Sequence, residues 1–422
     1  MSPDQGAPTN DGYPTFSRRA LLAGSTVAAA AVAAAGIAAA TAPAASADGS
    51  AQVVPFRGAH QAGIATAAQD RIVFASFDVT TSAAAALRAL LAAWTPAAER
   101  MTRGEPVATP LSPYEPPSDT GEAVGLGPSG LTLTIGFGPS LFDDRFGLAA
   151  MRPAVLQALP AFPGDDLDPS RSGGDLCVQA CADDAQVAFH AIHNLARIGL
   201  GVVALRWIQT GFGRTSSTTS SQQNPRNLLG FKDGTDNLLA DHPADFDRFV
   251  WVGAETDQPW MRGGSFLVAR RIRTRLESWA ATPLETQQDV IGRFKSSGAP
   301  LSGAKEHDRV DLSARGALGA PLIPLGAHIR TAAPSTNGGV RILRRGYSFA
   351  DGVDPQTAEL DAGLFFICFQ RDPVRQFSAI QGNLAINDTL RNYIVHTSSA
   401  VFACPPGTRA AGTWGETLFR DE

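Results

Sequence analysis

The chain has 422 residues, 44% of them hydrophobic and 18% charged, with a formal net charge of -5. That length can bury two sizeable cores. Acids and bases are interspersed rather than gathered into a basic face, so no nucleic-acid partner is expected.

The first segment is read as an address rather than as fold. Ser17-Arg18-Arg19-Ala20-Leu21-Leu22 precedes an Ala/Val-rich run to about Ala42 and then Ala45-Ser46-Ala47. Paired arginines, a weakly apolar stretch and an A-x-A site spell a twin-arginine export signal over residues 1–47. A membrane anchor is the competing reading, but alanine is only weakly hydrophobic and the A-x-A end favours cleavage. The expected partner is the twin-arginine translocase, and the expected location is periplasmic, extracellular or in the cell envelope. That route carries folded chains, which suits a protein that acquires a buried cofactor before export.

Residues 48 to about 66 read as extended, with His60-Gln61 in a Gly/Ala-rich context. Arg71 to Val79 alternates as a strand does, and Ser82 to Met101 places Leu87, Leu90, Leu91 and Trp94 at helical spacing. A Pro/Gly/Ser-rich loop over about 104–130 leads to strands at Leu131 to Phe137 and Asp175 to Ala182. A helix from Asp184 to Ile198 and a strand from Val202 to Thr210 complete the order of a ferredoxin-like unit. The second half repeats it. The spacing predicts a strand at Gly264 to Ile272 and a helix at about Leu284 to Lys295. Strands at about Arg341 to Tyr347 and Gly363 to Gln370, a helix from Pro373 to about Leu384 and a strand near Ala400 to Ala403 follow. The fold class is therefore α+β: two ferredoxin-like (βαββαβ) halves, 48–214 and 215–422, with their antiparallel sheets packed together. Polar Thr215 to Gln223 is the expected joint.

Several patterns carry less than they suggest. Gly125-Leu-Gly127-Pro-Ser-Gly130 spells a dinucleotide fingerprint, but it runs from a polar loop into a strand and so lacks the helix N-terminus that meets a pyrophosphate. Cys177 and Cys181 lie four apart on one strand, roughly 13 Å, beyond the reach of a disulfide. Cys368 reads as a buried free thiol, and Cys404-Pro405 as a strand end. With no C-x-x-C-H present, covalent c-type haem is not expected. His190 and His193, at i and i+3 of one helix, read as a packed or solvated face, while His242, His307 and His396 read as surface.

The chemistry gathers after the joint. Gly230-Phe-Lys-Asp233-Gly234-Thr235-Asp236 looks like the G-x-x-D-G signature of the dye-decolourising peroxidases, a haem peroxidase family. Ala327-His328-Ile-Arg330 and Leu343-Arg344-Arg345-Gly346 resemble its proximal-histidine and distal-arginine regions. Phe56 to Ile64, Leu131 to Phe142, Phe294 to Gly303 and Ala362 to Asp372 also match, in family order. Turn chemistry alone would make Asp233-Gly234 a plain hairpin, and a lone histidine is by default a core residue.

The resemblance implies haem b as cofactor and hydrogen peroxide as oxidant, with a small organic reductant, a phenol or a dye as the second substrate. It implies His328 as the iron ligand, Asp233 as the proton shuttle and Arg344 as the fixed positive charge. Gly234, Thr235 and Asp236 are expected to edge the macrocycle, as are Pro334 and Ser335. Arg344 and Arg345, adjacent on a strand, must face opposite ways; the first is expected at the haem, the second outward or at a propionate. Phe365 and Phe366 alternate likewise, so one of them is expected in the distal pocket. Tyr347, Trp251, Trp260 and Trp279 are candidates to relay oxidising equivalents. An aspartate shuttle works best on the acid side of neutrality, and an optimum above about pH 8 would count against it.

Two departures stand out. Ala333-Pro334-Ser335 replaces the family's Asn-Pro-Arg, and the loop from His328 to Arg344 is slightly shortened. The resemblance also leaves open a deferrochelatase, for which haem is the substrate and iron the product, and a non-enzymatic haem carrier. It leaves room for a homo-oligomer.

Overall fold

Alternation along the strands sorts side chains between two cores. On β1 (Arg71–Val79), Val73, Ala75 and Phe77 join the cluster under α1 (Ala84–Thr102), while Ile72 and Phe74 join a second cluster shared by both halves. In the computed structural model, which describes residues 51–108 and 112–419, the remaining N-terminal elements are β2 (Thr132–Phe137), β3 (Leu176–Ala182), α2 (Ala185–Ile198) and β4 (Val203–Arg214). Asp184 caps α2 by accepting the amides of Gln186 and Val187. The proposed signal, residues 1–47, lies outside the described residues.

The second half contains α3 (Pro243–Phe249), β5 (Ser265–Thr274), α4 (Leu276–Ala280), α5 (Leu284–Ile291) and α6 (His328–Thr331). Then come β6 (Leu343–Arg344), β7 (Tyr347–Val353), β8 (Leu360–Gln370), α7 (Ala379–Asn387) and β9 (Ile394–Cys404). A π-turn at Val374–Ser378 leads into α7.

Hydrogen-bonded neighbours run β4-β1-β3-β2 in the first half and β9-β5-β8-β7 in the second, the same antiparallel order twice. Two ferredoxin-like halves are thus present. They also meet edge to edge: Phe212 and Arg214 of β4 pair with Ser348 and Tyr347 of β7, and Phe137 of β2 pairs with Ala403 of β9. The eight long strands therefore close into a ring, and their inward faces fill it with Phe74, Trp207, Leu267, Phe365, Phe369 and Phe402 among others. Closure leaves no bare edge at either seam.

The expected strand at Arg341 to Tyr347 is two pieces. β6 pairs with β8 through only Leu343 and Arg344, the chain breaks at Arg345-Gly346, and β7 resumes. Among the described residues no helix is long and apolar enough to cross a membrane.

Candidate active site

The outer face of the second sheet, away from the ring interior, forms one wall of a cavity of about 1340 Å³. That exceeds the roughly 300–1,000 Å³ usual for small-ligand sites. Arg270 and Ile272 of β5, Leu364 and Phe366 of β8, and Ile394 and His396 of β9 form that wall. The turn around Asp233, the segment 306–312, α6 and α7 supply the others. Every residue expected to touch cofactor lines it: Asp233, Gly234, Thr235, Asp236, His328, Pro334, Ser335 and Arg344.

His328 opens α6, a single turn stiffened by the Thr331 hydroxyl donating to the Ala327 carbonyl. Its Nδ1 lies 2.5 Å from Asp388 Oδ2, and Asp388 Oδ1 accepts the Leu390 amide at 2.8 Å. The carboxylate is 3% exposed and so is held on both oxygens. Burial pulls the His328 pKa down, but the charge and hydrogen bond of Asp388, with the charge of Asp233, outweigh it and leave it above the ordinary value. With Nδ1 engaged, Nε2 is the ring nitrogen free to ligate a metal.

Asp233 sits on a turn that needs glycine next to it. Gly234 has φ +86°, and a Cβ there would approach Ser216 Cα to 2.8 Å. Asp233 Oδ1 accepts from Arg344 Nη1 at 2.7 Å and from the Gly234 amide at 2.9 Å, and Oδ2 accepts from Asn227 Nδ2 at 3.1 Å. Asn237 fixes the arginine's backbone: it accepts the Arg344 amide and donates to the Arg344 carbonyl, both at 2.8 Å. Thr235 donates to Glu306, which also receives Asn224 and Lys232. Burial pushes the Glu306 pKa up, but those bonds prevail and hold it below the ordinary value.

The alternation arguments resolve cleanly. Phe366 lines the cavity, whereas Phe365 is fully buried in the ring interior. Arg344 reaches the cavity. Arg345 reaches neither solvent nor the cavity: it is fully buried and donates to the carbonyls of Thr66 and Ala67 and to Gln69 Oε1. The outward or propionate role expected of it is therefore replaced by a clasp on the N-terminal segment. All four aromatic relay candidates are buried; Trp279 packs against Phe231, itself a wall residue.

Among the remaining histidines, His396 overturns its surface reading. It lines the cavity with its side chain 12% exposed. It faces inward because the strand that carries it lies under the 163–166 loop. His307 is exposed at the cavity edge, and His60 stacks on Trp251 at 3.7 Å. His190 and His193 do find acidic partners, Asp119 at 2.8 Å and Glu122 at 2.5 Å, which bind the 112–130 loop to α2. All four cysteines are buried and free.

The sequence reading missed Asp388, Asn227, Asn237, Glu306 and Arg293. Asp388-Thr-Leu carries a helix-cap signal, yet nothing in it points sixty residues back to His328. Arg293, 6% exposed with its pKa pulled down by burial, donates to the carbonyls of Gly298 and Glu306 and so braces the wall beside Asp233.

Among the described residues no group of three or more His, Cys, Asp or Glu could hold a bare metal ion. A large cavity with apolar walls and one histidine with a free Nε2 instead suits a flat macrocycle that brings its own four equatorial ligands. The fold and this site define a haem-binding α+β protein. Comparison with known proteins agrees: residues 61–213 match the description "Dyp-type peroxidase, N-terminal", and residues 224–409 match "Dyp-type peroxidase, C-terminal". The chain belongs to the Dyp-type peroxidase family and is a haem-dependent peroxidase. It is 37% identical over 372 residues to the deferrochelatase of Escherichia coli K12, covering 87% of each chain. A DyP-type peroxidase from Streptomyces coelicolor superposes with a TM-score of 0.81 at 40% identity, covering 88% of this chain and 98% of that one. DtpA from Streptomyces lividans, solved as an oxyferrous/water mixed complex, gives 0.81 at 40% identity over 88% and 99%.

Proposed function

We propose that the chain is an exported peroxidase that uses hydrogen peroxide to oxidise small organic reductants, phenols and dyes among them. His328, steadied by Asp388, would hold haem b; Gly234, Thr235, Asp236, Pro334 and Ser335 would edge it. Bound haem supplies the iron at which the O–O bond is broken and stores the oxidising equivalents. Asp233 takes one proton of the peroxide and returns it to the oxygen that leaves as water. Arg344, whose charge persists at any working pH, stabilises the negative charge that builds on the departing oxygen. Asn227 and the Gly234 amide keep the carboxylate aimed while it works. Arg18-Arg19 and the A-x-A site are the basis for twin-arginine export to the periplasm or beyond.

The observation that carries this reading is the 2.7 Å Asp233–Arg344 contact in the same cavity as an Asp388-tethered histidine. It is tested by visible spectra of the haem-reconstituted protein before and after one equivalent of peroxide, beside His328→Ala and Asp233→Asn. The parent's Soret band should shift on peroxide, and His328→Ala should lose or alter the band. Asp233→Asn should slow the shift by about 10²–10⁴-fold. A parent that binds haem but ignores peroxide would reduce the protein to a carrier.

A second reading is favoured by the relatives named deferrochelatase: release of iron from haem in the same cavity. Appearance of iron-free porphyrin, without peroxide-dependent dye oxidation, would select it.

A further inference from the structure

One end of the cavity is not used by the residues above. There the floor is Ile272, Ile394 and His396, and the rim is Pro163-Gly164 on one side with Arg391 and Asn392 on the other. All four rim residues are exposed. Just inside, Arg270, 1% exposed, pairs with Asp165, and His396 Nδ1 stands 3.7 Å from the same carboxylate. Burial pulls the Arg270 pKa down and the charge of Asp165 opposes it, whereas Asp233 and Arg344 act on Arg293 and His328.

Its chemistry is specific. Arg270 and Asp165 pair with each other, so the inner corner presents no unpaired charge; Arg391 stands outside it at the rim, its Nη1 on the carbonyls of Ala385 and Ile386. Burial, then the positive charge of Arg270, pulls the His396 pKa down to about 3, so the imidazole is neutral at any working pH. With Nδ1 turned to Asp165, the other ring nitrogen meets no protein partner among the described residues. A neutral acceptor between Ile272 and Ile394, in a cavity also walled by Phe366, fits an uncharged aromatic ring bearing one hydroxyl. Nε–H of Arg270 is likewise buried without a partner, so the protein itself leaves this corner unfinished.

We propose that the corner walled by His396, Ile272 and Ile394 is the docking site of an uncharged phenolic reductant, with His396 accepting the phenol's hydroxyl proton. The proposal rests on the peroxidase reading and names the substrate class and its entrance. One peroxide is reduced to two waters while two phenols, in turn, each give one electron to the haem and one proton to His396. Each leaves as a phenoxyl radical, and the protons end in the waters. A phenol that has lost an electron is a strong acid, so even a weakly basic imidazole suffices. Arg270 acts as a positioning residue: burial and its charge together keep the imidazole neutral.

The test uses the haem-loaded protein with guaiacol as probe. Binding is measured by equilibrium dialysis without peroxide, for the parent, His396→Gln and Asn392→Trp. Asn392 is exposed and uses no side-chain bond, so its replacement narrows the mouth without touching the core. Guaiacol should bind the parent saturably, at least about tenfold more weakly to His396→Gln, and poorly to Asn392→Trp. The ratio of guaiacol to ferrocyanide turnover should also fall about tenfold or more in His396→Gln, because ferrocyanide gives an electron but no proton. Binding within twofold of the parent in both variants would overturn the site, and an unchanged ratio would overturn the proton acceptor. Should His396→Gln fail to fold, unaltered binding by Asn392→Trp alone overturns the site. A parent whose Soret band does not respond to peroxide would instead sink the peroxidase reading.

Discussion

Asp388 accepts the Leu390 amide on one oxygen and His328 Nδ1 on the other, so replacing a single oxygen by NH₂ tests what the carboxylate does for the ligand. In Asp388→Asn one acceptor survives, and it can serve the helix cap or the imidazole but not both. The negative charge, which together with its hydrogen bond keeps His328 more basic than burial alone would allow, is gone. A less basic imidazole donates less to iron, so the haem reduction potential should rise and haem should be lost more readily, by about 10–100-fold in affinity. Potentiometric titration and transfer of haem to an apo-globin measure the two effects. A potential and transfer rate equal to the parent's would mean that Asp388 only caps its turn. At this scale the sequence was informative about type but not about pairing. The turn acid, the histidine and the arginine were legible because each sits in a short segment of distinctive chemistry. Their supports, Asn227, Asn237 and Asp388, are ordinary polar residues whose meaning is purely spatial.

Neighbouring arginines with opposite fates make the same point for an element. β6 carries Arg344 to the cavity, and the break at Arg345-Gly346 turns the next side chain under the N-terminal segment. Gly346 permits the turn because a Cβ there would meet Thr215 Oγ1 at 2.8 Å. Arg345 has no carboxylate among its hydrogen-bond partners; its Nη atoms donate to three oxygens, those of Thr66, Ala67 and Gln69, while its Nε is buried without a partner. Arg345→Met should therefore strand buried acceptors and cost about 1–3 kcal/mol, read as a lower melting temperature. It should also loosen Arg344, read as slower reaction with peroxide. Unaltered stability would show that removing a buried charge offsets the lost bonds. The strand reading placed β1, β2, β3 and β5 to within a residue or two at most of their ends. It failed on β9, expected over four residues and observed over eleven. His396-Thr-Ser-Ser shows no apolar alternation because its inward residues face a cavity rather than a packed core. The polar signal there looked like surface.

Closure of the strands into one ring makes the whole described molecule the relevant unit for stability, even though the chain is built from two repeated halves. The cavity belongs to both: its floor comes from the second half, but Pro163, Gly164 and Asp165 cross over from the first to lie beside His396. No sequence pattern announced that crossing, since the 138–175 connection carries no periodicity. Burial of His396 has a consequence for acid stability. Unfolded, His396 would bind a proton as the pH falls below the ordinary 6.5; folded, burial and then the charge of Arg270 postpone that to about 3. Between those values the unfolded chain holds one more proton than the folded one, so acidification favours unfolding throughout the window, and the residue has no such effect above it. His396→Gln removes that proton. Relative to the parent, the variant should gain stability steadily as pH drops from about 7 to about 4, whatever its difference at pH 8. Urea midpoints of the haem-loaded protein across this range measure it. Parallel curves for parent and variant would mean that His396 titrates normally in the folded protein, and the neutral acceptor at the cavity mouth would go with it.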